Sequence, residues 1–171
     1  MIRKKVAALI VIIIGFIFQT NIFQHLELAN VAPNVLLVIT ISYAYLRGRT
    51  SGLFIGFFCG LLLDMYCGTV VGLYAFILMT IGFLVGFCQK YYYTDSMLLP
   101  CVLILVGDFV YSIYYYVAEF LMRGRLNFGY AFVHVILPEL IYTALVGIVI
   151  YRLLKGLDNL LTKSRRESYS D

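Results

Sequence analysis

Four polar residues fall on one predicted helical face inside a strongly apolar stretch of the chain. They are Asp108, Ser112, Tyr115 and Glu119, spaced four, three and four residues apart. Residues three or four apart are neighbours on the surface of a helix. Because an ionisable group in apolar surroundings is costly, Asp108 is expected to face protein or water rather than lipid.

A second polar group follows in the next apolar stretch. Glu139 and Thr143 are four residues apart, Tyr142 lies beside them, and Pro138 directly precedes Glu139. A proline inside a helix removes a backbone hydrogen bond, so we predict a kink at Pro138. The two groups together indicate a polar cavity, or a polar partner-binding patch, between their helices. The alternative is that each acid is protonated, or capped by a tyrosine hydroxyl, and only holds the two helices together.

Small residues and one acid recur at intervals of four in the middle of the chain: Gly52, Gly56, Gly60 and Asp64, then Gly68 and Gly72. On a helix the first three form one side of bare backbone, here called the glycine face. In lipid, small residues at this spacing let a second helix approach closely. We expect Asp64 to lie at the outer membrane boundary and to cap the N–H groups that begin the next helix.

No residue pattern indicates catalysis or a bound metal. The two histidines, His25 and His134, belong to no plausible metal cluster, and the sequence has no nucleophile elbow, phosphate-binding loop or CxxC motif. Glu27 and Asp64 could share an outer cleft, but nothing supports such a catalytic pair. The four cysteines are expected to be small buried residues: Cys59, Cys67, Cys88 and Cys101. We therefore predict a protein that is not an enzyme and needs no cofactor.

The composition is that of an integral membrane protein. Of the 171 residues, 63% are hydrophobic and 13% are charged, and the mean hydropathy is +0.94. Soluble domains carry roughly 25% charged residues and about half apolar ones, so a water-soluble globule of this size has no place for the apolar surplus. The length suits about six helices of roughly 20 residues. The net charge of +4 does not indicate nucleic-acid binding, because the basic residues sort by predicted membrane side.

We predict an all-α bundle with a membrane domain over residues 1–155 and a polar cytoplasmic tail, residues 156–171, that begins as a continued helix. The predicted spans are about 6–23, 32–46, 52–63, 70–87, 97–120 and 130–153. No cleavage site follows the first apolar stretch, so we expect it to remain as a span. Pro33 suits the first turn of the second span. The second and third spans are short, and the alternative is that they form a re-entrant hairpin.

Basic residues predict the orientation. With a cytoplasmic N-terminus, 11 of the 13 Lys and Arg residues lie inside, and only Arg123 and Arg125 lie outside. The opposite orientation reverses this ratio. We therefore predict a multi-pass membrane protein with both termini in the cytoplasm. The two outer arginines either meet a partner or a lipid phosphate, or simply extend to the head groups.

An ordered set of features runs through the chain: Pro33-Asn34 before an aliphatic run, Arg47-Gly48, the glycine face with Asp64, Gly68, Gly72-Leu73, and Leu137-Pro138 with Tyr142. This set resembles the bacterial rod shape-determining MreD family. The chain length, the six-span layout and the charged tail are also similar to that family, so the resemblance covers essentially the whole chain.

The resemblance implies a non-catalytic subunit of the cell-elongation machinery, the Rod complex, in the bacterial cell membrane. Such a subunit would pair with the bitopic protein MreC. The pair would link cytoplasmic MreB filaments to the glycosyltransferase RodA and its partner class B penicillin-binding transpeptidase. In this hypothesis the glycine face and the polar faces of the fifth and sixth spans bind partner helices.

A second hypothesis comes from the family's similarity in fold to the substrate-binding subunits of energy-coupling-factor vitamin transporters. It implies a solute pocket lined by Asp108, Tyr115, Glu139 and Tyr142. Those transporter subunits carry alanines four apart on the first helix, where the coupling subunit docks. The first span here holds Ala7, Ala8 and Gly15 without an alanine pair at that spacing, which favours the first hypothesis.

Overall fold

A computed structural model describes residues 2–22, 33–67, 72–92, 98–123 and 136–167. Within these ranges the chain forms six α-helices and no strand: α1 Ile2–Ile17, α2 Val35–Arg47, α3 Arg49–Cys67, α4 Leu73–Tyr92, α5 Leu98–Arg123 and α6 Leu137–Glu167. A short π-helical segment, Phe18–Ile22, continues α1. The predicted all-helical class is therefore confirmed.

The short helix α2 lies at the centre of the fold. Every side chain from Val35 to Tyr45 is buried, and α2 contacts each of the other five helices. A helix that is apolar all round belongs in an interior. Its 13 residues span about 20 Å, less than the roughly 30 Å of a bilayer's hydrocarbon core. Because α2 is buried and contacts all five other helices, these helices surround it.

A one-residue turn joins α2 to α3. Gly48 separates the two helices and has a φ of +86°, a conformation that glycine adopts without steric cost. Its backbone N–H closes α2 by donating to the Ala44 carbonyl at 2.9 Å. Arg47 and Arg49 flank the turn.

Several helices run further than the predicted spans. The third span was predicted to end at residue 63, because a carboxylate at Asp64 suggested the membrane limit. Instead α3 continues to Cys67 and carries Asp64 as a buried residue. Helix α6 continues to Glu167, well into the predicted polar tail. The described part of the tail is therefore a continuation of the last helix, as predicted for its beginning.

Two helices within the described ranges are long and apolar enough to cross a membrane, over Leu98–Val117 and Leu137–Asn159. Three other apolar helical segments are shorter: Val6–Asn21, Val35–Arg47 and Leu73–Gln89. The predicted number of six spans is thus not confirmed by helix length and hydropathy alone.

The helices alternate in direction, which gives the bundle two chemically different ends. At the arginine end, Arg47 forms an ion pair with Asp158 at 2.8 Å, and Gln89 donates to the Leu46 carbonyl at 3.4 Å. The opposite end, here called the cap end, holds the starts of α2 and α4 and the end of α3. There the Gln19 side chain accepts the backbone N–H of Leu36 at 2.9 Å.

Candidate functional site

The glycine face packs directly against the backbone of α4. Each glycine has its own neighbour on that helix: Gly52 opposes Gly82, Gly56 opposes Leu78 and Gly60 opposes Ala75. At each position a Cβ atom would collide with α4 backbone atoms. The helix that approaches the glycine face is therefore α4 of the same chain, and the face is not available to a partner helix in this conformation.

Two further glycines complete this contact from the side of α4. Gly82 opposes Gly52, and Gly86 meets the backbone of Arg49 at the arginine end. Their spacing of four is the same small-residue signal as on α3. The spacing of Gly82 and Gly86 is thus a signal in the sequence for close approach of α4 to another helix.

Asp64 caps the first turn of α4 from within α3. Its Oδ1 accepts the backbone N–H of Tyr74 and its Oδ2 accepts that of Ala75, both at 3.0 Å. The residue is only 3% exposed, and the N-terminal N–H groups of a helix favour a negative charge. The predicted capping role of Asp64 is thus confirmed. Gly72, with a φ of +98°, turns the chain just before α4, whereas Gly68 lies outside the described residues.

Asn34 caps α2 in a similar way. Its Oδ1 accepts the N–H of Leu37 at 3.1 Å, and its own N–H donates to the Thr143 hydroxyl at 3.3 Å. Pro33 was predicted in the first turn of this helix, but it precedes the cap and is fully buried. The reason is that Asn34 is the stronger helix-start signal, which moves the start of α2 to Val35.

Four polar residues of α5 and α6 face each other in the interior and are here called the polar cluster: Asp108, Ser112, Glu139 and Thr143. The Ser112 hydroxyl donates to Glu139 Oε2 at 3.4 Å. Asp108 is fully buried, and neither carboxylate oxygen has a hydrogen-bonding partner among the described residues. The Thr143 hydroxyl lies beside Asp108 without a well-formed hydrogen bond. These four residues therefore face the interior between α5 and α6 and not the outside of the bundle.

The predicted pocket residues do not all converge. Tyr115 is 43% exposed and stacks on Tyr74 of α4, with ring centroids 6.2 Å apart. Tyr142 is half-buried on α6. The side chain of Glu119 lies outside the described residues. Pro138 is the second residue of α6, and Ile136 before that helix is π-helical. The residues before Ile136 are not described, so the kink stays a prediction.

A cavity of about 600 Å³ lies elsewhere, between α1 and α3. None of the four predicted pocket residues lines it. In the described part of the chain, no group of three or more His, Cys, Asp or Glu side chains could hold a metal ion. Asp64 and Asn34 cap helix starts, and the polar cluster lies in the contact between α5 and α6.

No curated protein and no solved structure matches the chain. The family described as "rod shape-determining protein MreD" does match, over residues 2–160. That range includes α1 to α5 and most of α6, with the glycine face, both caps and the polar cluster. The match identifies a membrane protein with a role in determining rod shape. The chain therefore belongs to the MreD family.

Proposed function

We propose that this protein is a non-catalytic membrane scaffold of the cell-elongation complex. The observation that carries the proposal is the match to a rod shape-determining family over residues 2–160. In the proposed role the protein pairs with an MreC-like bitopic protein. The two proteins together connect MreB filaments to RodA and a class B penicillin-binding transpeptidase.

The chemistry of the interior supports a scaffold. The carboxylate of Asp64 and the amide of Asn34 are both engaged in caps, and the glycine face is filled by α4. Groups used in this way fix the relative positions of helices. A scaffold needs such fixed positions, because it must present the same surface to several partners.

The outer sides of α5 and α6 are the surfaces most suited to partner helices in this proposal. Phe109, Val110 and Ile113 on α5 are exposed, as are Leu145 and Val149 on α6. The polar cluster of these helices is turned inward. A partner span would therefore meet apolar side chains, and its affinity would come from packing.

The proposed topology has six spans and cytoplasmic termini. It is supported by the alternating helix directions and by the basic residues at the arginine end, where Arg47, Arg49 and Lys155 lie. Cytoplasmic ends of membrane segments are rich in Lys and Arg. The short helix α2 fits this scheme because its neighbours, rather than lipid, surround it.

Depletion and complementation in a rod-shaped host would test the proposal. Cells that lose the native protein should become round, and expression of this chain should restore the rod. The tagged protein should also co-purify with a single-span coiled-coil partner. Restoration of rod shape without that co-purification would refute the scaffold role. Saturable binding of a small vitamin to the purified protein would instead support the transporter hypothesis.

A further inference from the structure

The cavity between α1 and α3, here called the α1–α3 groove, has a volume of about 600 Å³. Its walls are mostly apolar and include Ile12 of α1 and Phe54 and Phe58 of α3. Helical periodicity places the two phenylalanines roughly opposite the glycine face. Helix α4 thus covers one side of α3, while the α1–α3 groove lies open on the other side.

The two ends of the groove differ in chemistry. Arg47 and Ser51 line it at the arginine end. The lining continues along α3 to Leu62, a distance of about 16 Å at the helical rise. One turn further, Tyr66 of α3 meets Phe16 of α1 edge to face, with ring centroids 6.1 Å apart. Aromatic rings therefore bridge one end, while a guanidinium and a hydroxyl line the other.

Positive charge exceeds negative charge around the polar end. Arg47 is paired with Asp158, and Lys155 lies one turn before Asp158 on α6. The side chain of Arg49 instead lies over the Phe87 ring of α4, so two basic residues lie near one carboxylate on the side of the groove. Clusters of Lys and Arg at the membrane surface attract anionic lipid head groups.

The size of the groove favours a chain-like ligand over a whole helix. The lining runs for about 16 Å along α3, which is about half the length of a membrane-spanning helix. Pockets for small ligands have volumes of about 300–1,000 Å³, and the groove falls within that range.

We propose that the α1–α3 groove binds one anionic phospholipid from the leaflet at the arginine end. An acyl chain lies between α1 and α3, and the phosphate is held by Arg47 and Ser51. The lipid fills a gap between two helices that have few direct contacts. The site is separate from the polar cluster, and it does not depend on the proposed role in cell shape.

A pair of matched charge variants tests this site. Ser51→Asp places a carboxylate at the phosphate position, whereas Thr50→Asp adds the same charge one residue earlier, at an exposed position outside the groove. An acid in the first turn of a helix is favoured by the helix dipole, so both variants should fold. The measurement is native mass spectrometry of the detergent-purified protein after incubation with phosphatidylglycerol or phosphatidylcholine.

We expect the wild type and Thr50→Asp to retain one phosphatidylglycerol, and to retain phosphatidylcholine less. Ser51→Asp should lower phosphatidylglycerol retention about tenfold, because like charges at short range repel strongly in a low-dielectric site. Equal retention by the two variants would overturn the proposal, as would a wild-type protein that retains no lipid.

A second measurement avoids mutation of the polar end. A photoreactive amino acid replaces Phe58, which lines the groove and is exposed, and the protein is irradiated in membranes. An adduct with the mass of a phospholipid supports the site. An adduct to a polypeptide would show that a partner span or a second copy occupies the groove, and would overturn the proposal.

Discussion

The buried polar residues Asp64 and Asn34 cap the starts of helices. The first N–H groups of a helix have no partner inside the helix, and lipid offers them no water. Asp64 satisfies two such groups of α4, and Asn34 satisfies one of α2. This use explains why a carboxylate is retained at a position that is only 3% exposed.

Substitution of Asp64 should therefore reduce stability in graded steps. Asp64→Asn keeps one acceptor oxygen and loses one of the two bonds, which we expect to cost about 1 kcal/mol. Asp64→Leu leaves two N–H groups without a partner and should cost about 2–4 kcal/mol. The midpoint of thermal unfolding in detergent measures both effects.

The adjacent residue provides the control for Asp64. Met65 is 80% exposed, so Met65→Leu should change the free energy of unfolding by less than about 0.5 kcal/mol. If Asp64→Leu and Met65→Leu unfold at the same midpoint, Asp64 does not hold the start of α4.

Among the helices, the pair α3–α4 depends most strongly on small residues. A methyl group at Gly56 would collide with the Leu78 carbonyl, and neither backbone can move without displacing the other glycine contacts. Gly56→Ala should therefore lower the free energy of unfolding by about 1–3 kcal/mol. The larger Gly56→Leu and Gly60→Leu should cause loss of the folded protein or of its partner complex, and hence round cells.

Gly156 is the matched control for the glycine face. It lies in α6, and a Cβ atom there would have no neighbour within 4 Å. Gly156→Ala should be neutral or should stabilise the protein by up to about 1 kcal/mol, through helix propensity. Gly60→Leu protein that accumulates normally, keeps its partner and supports rod shape would show that close α3–α4 contact is not required.

Local signals predicted much of this structure, whereas long-range contacts were beyond them. The spacing of Gly52, Gly56 and Gly60 predicted a close-packed face, and Asp64 was correctly assigned as a cap. The pairing of Arg47 with Asp158 joins residues 111 positions apart, and no periodic pattern contains that information.

The burial of the polar cluster illustrates the same limit. The spacing of Asp108 and Ser112 placed them on one helical face, and that of Glu139 and Thr143 placed them on another. Periodicity does not say whether such faces line a cavity, face a partner or meet each other. The central place of α2 also depends on the sum of its contacts with all the other helices, although its apolar sequence agrees with that place.

For the whole molecule, the distribution of basic residues predicts both termini in the cytoplasm. A cysteine introduced at residue 170 of a cysteine-free version should stay unlabelled by an impermeant thiol reagent added to intact cells. It should become labelled once the cells are permeabilised. Labelling from outside before permeabilisation would contradict the proposed topology, including the side assigned to the arginine end.

As a scaffold, the molecule needs the acids of its polar cluster only for packing. Neutral amides of similar size should therefore replace them without loss of function. As a carrier of protons or ions, it would need the carboxyl groups themselves. The decisive measurement is the shape of cells whose only copy carries Asp108→Asn together with Glu139→Gln. We predict rod-shaped cells, with normal protein levels and the partner still bound. A double variant that is stable, inserted in the membrane and bound to its partner, yet yields round cells, would contradict the scaffold role.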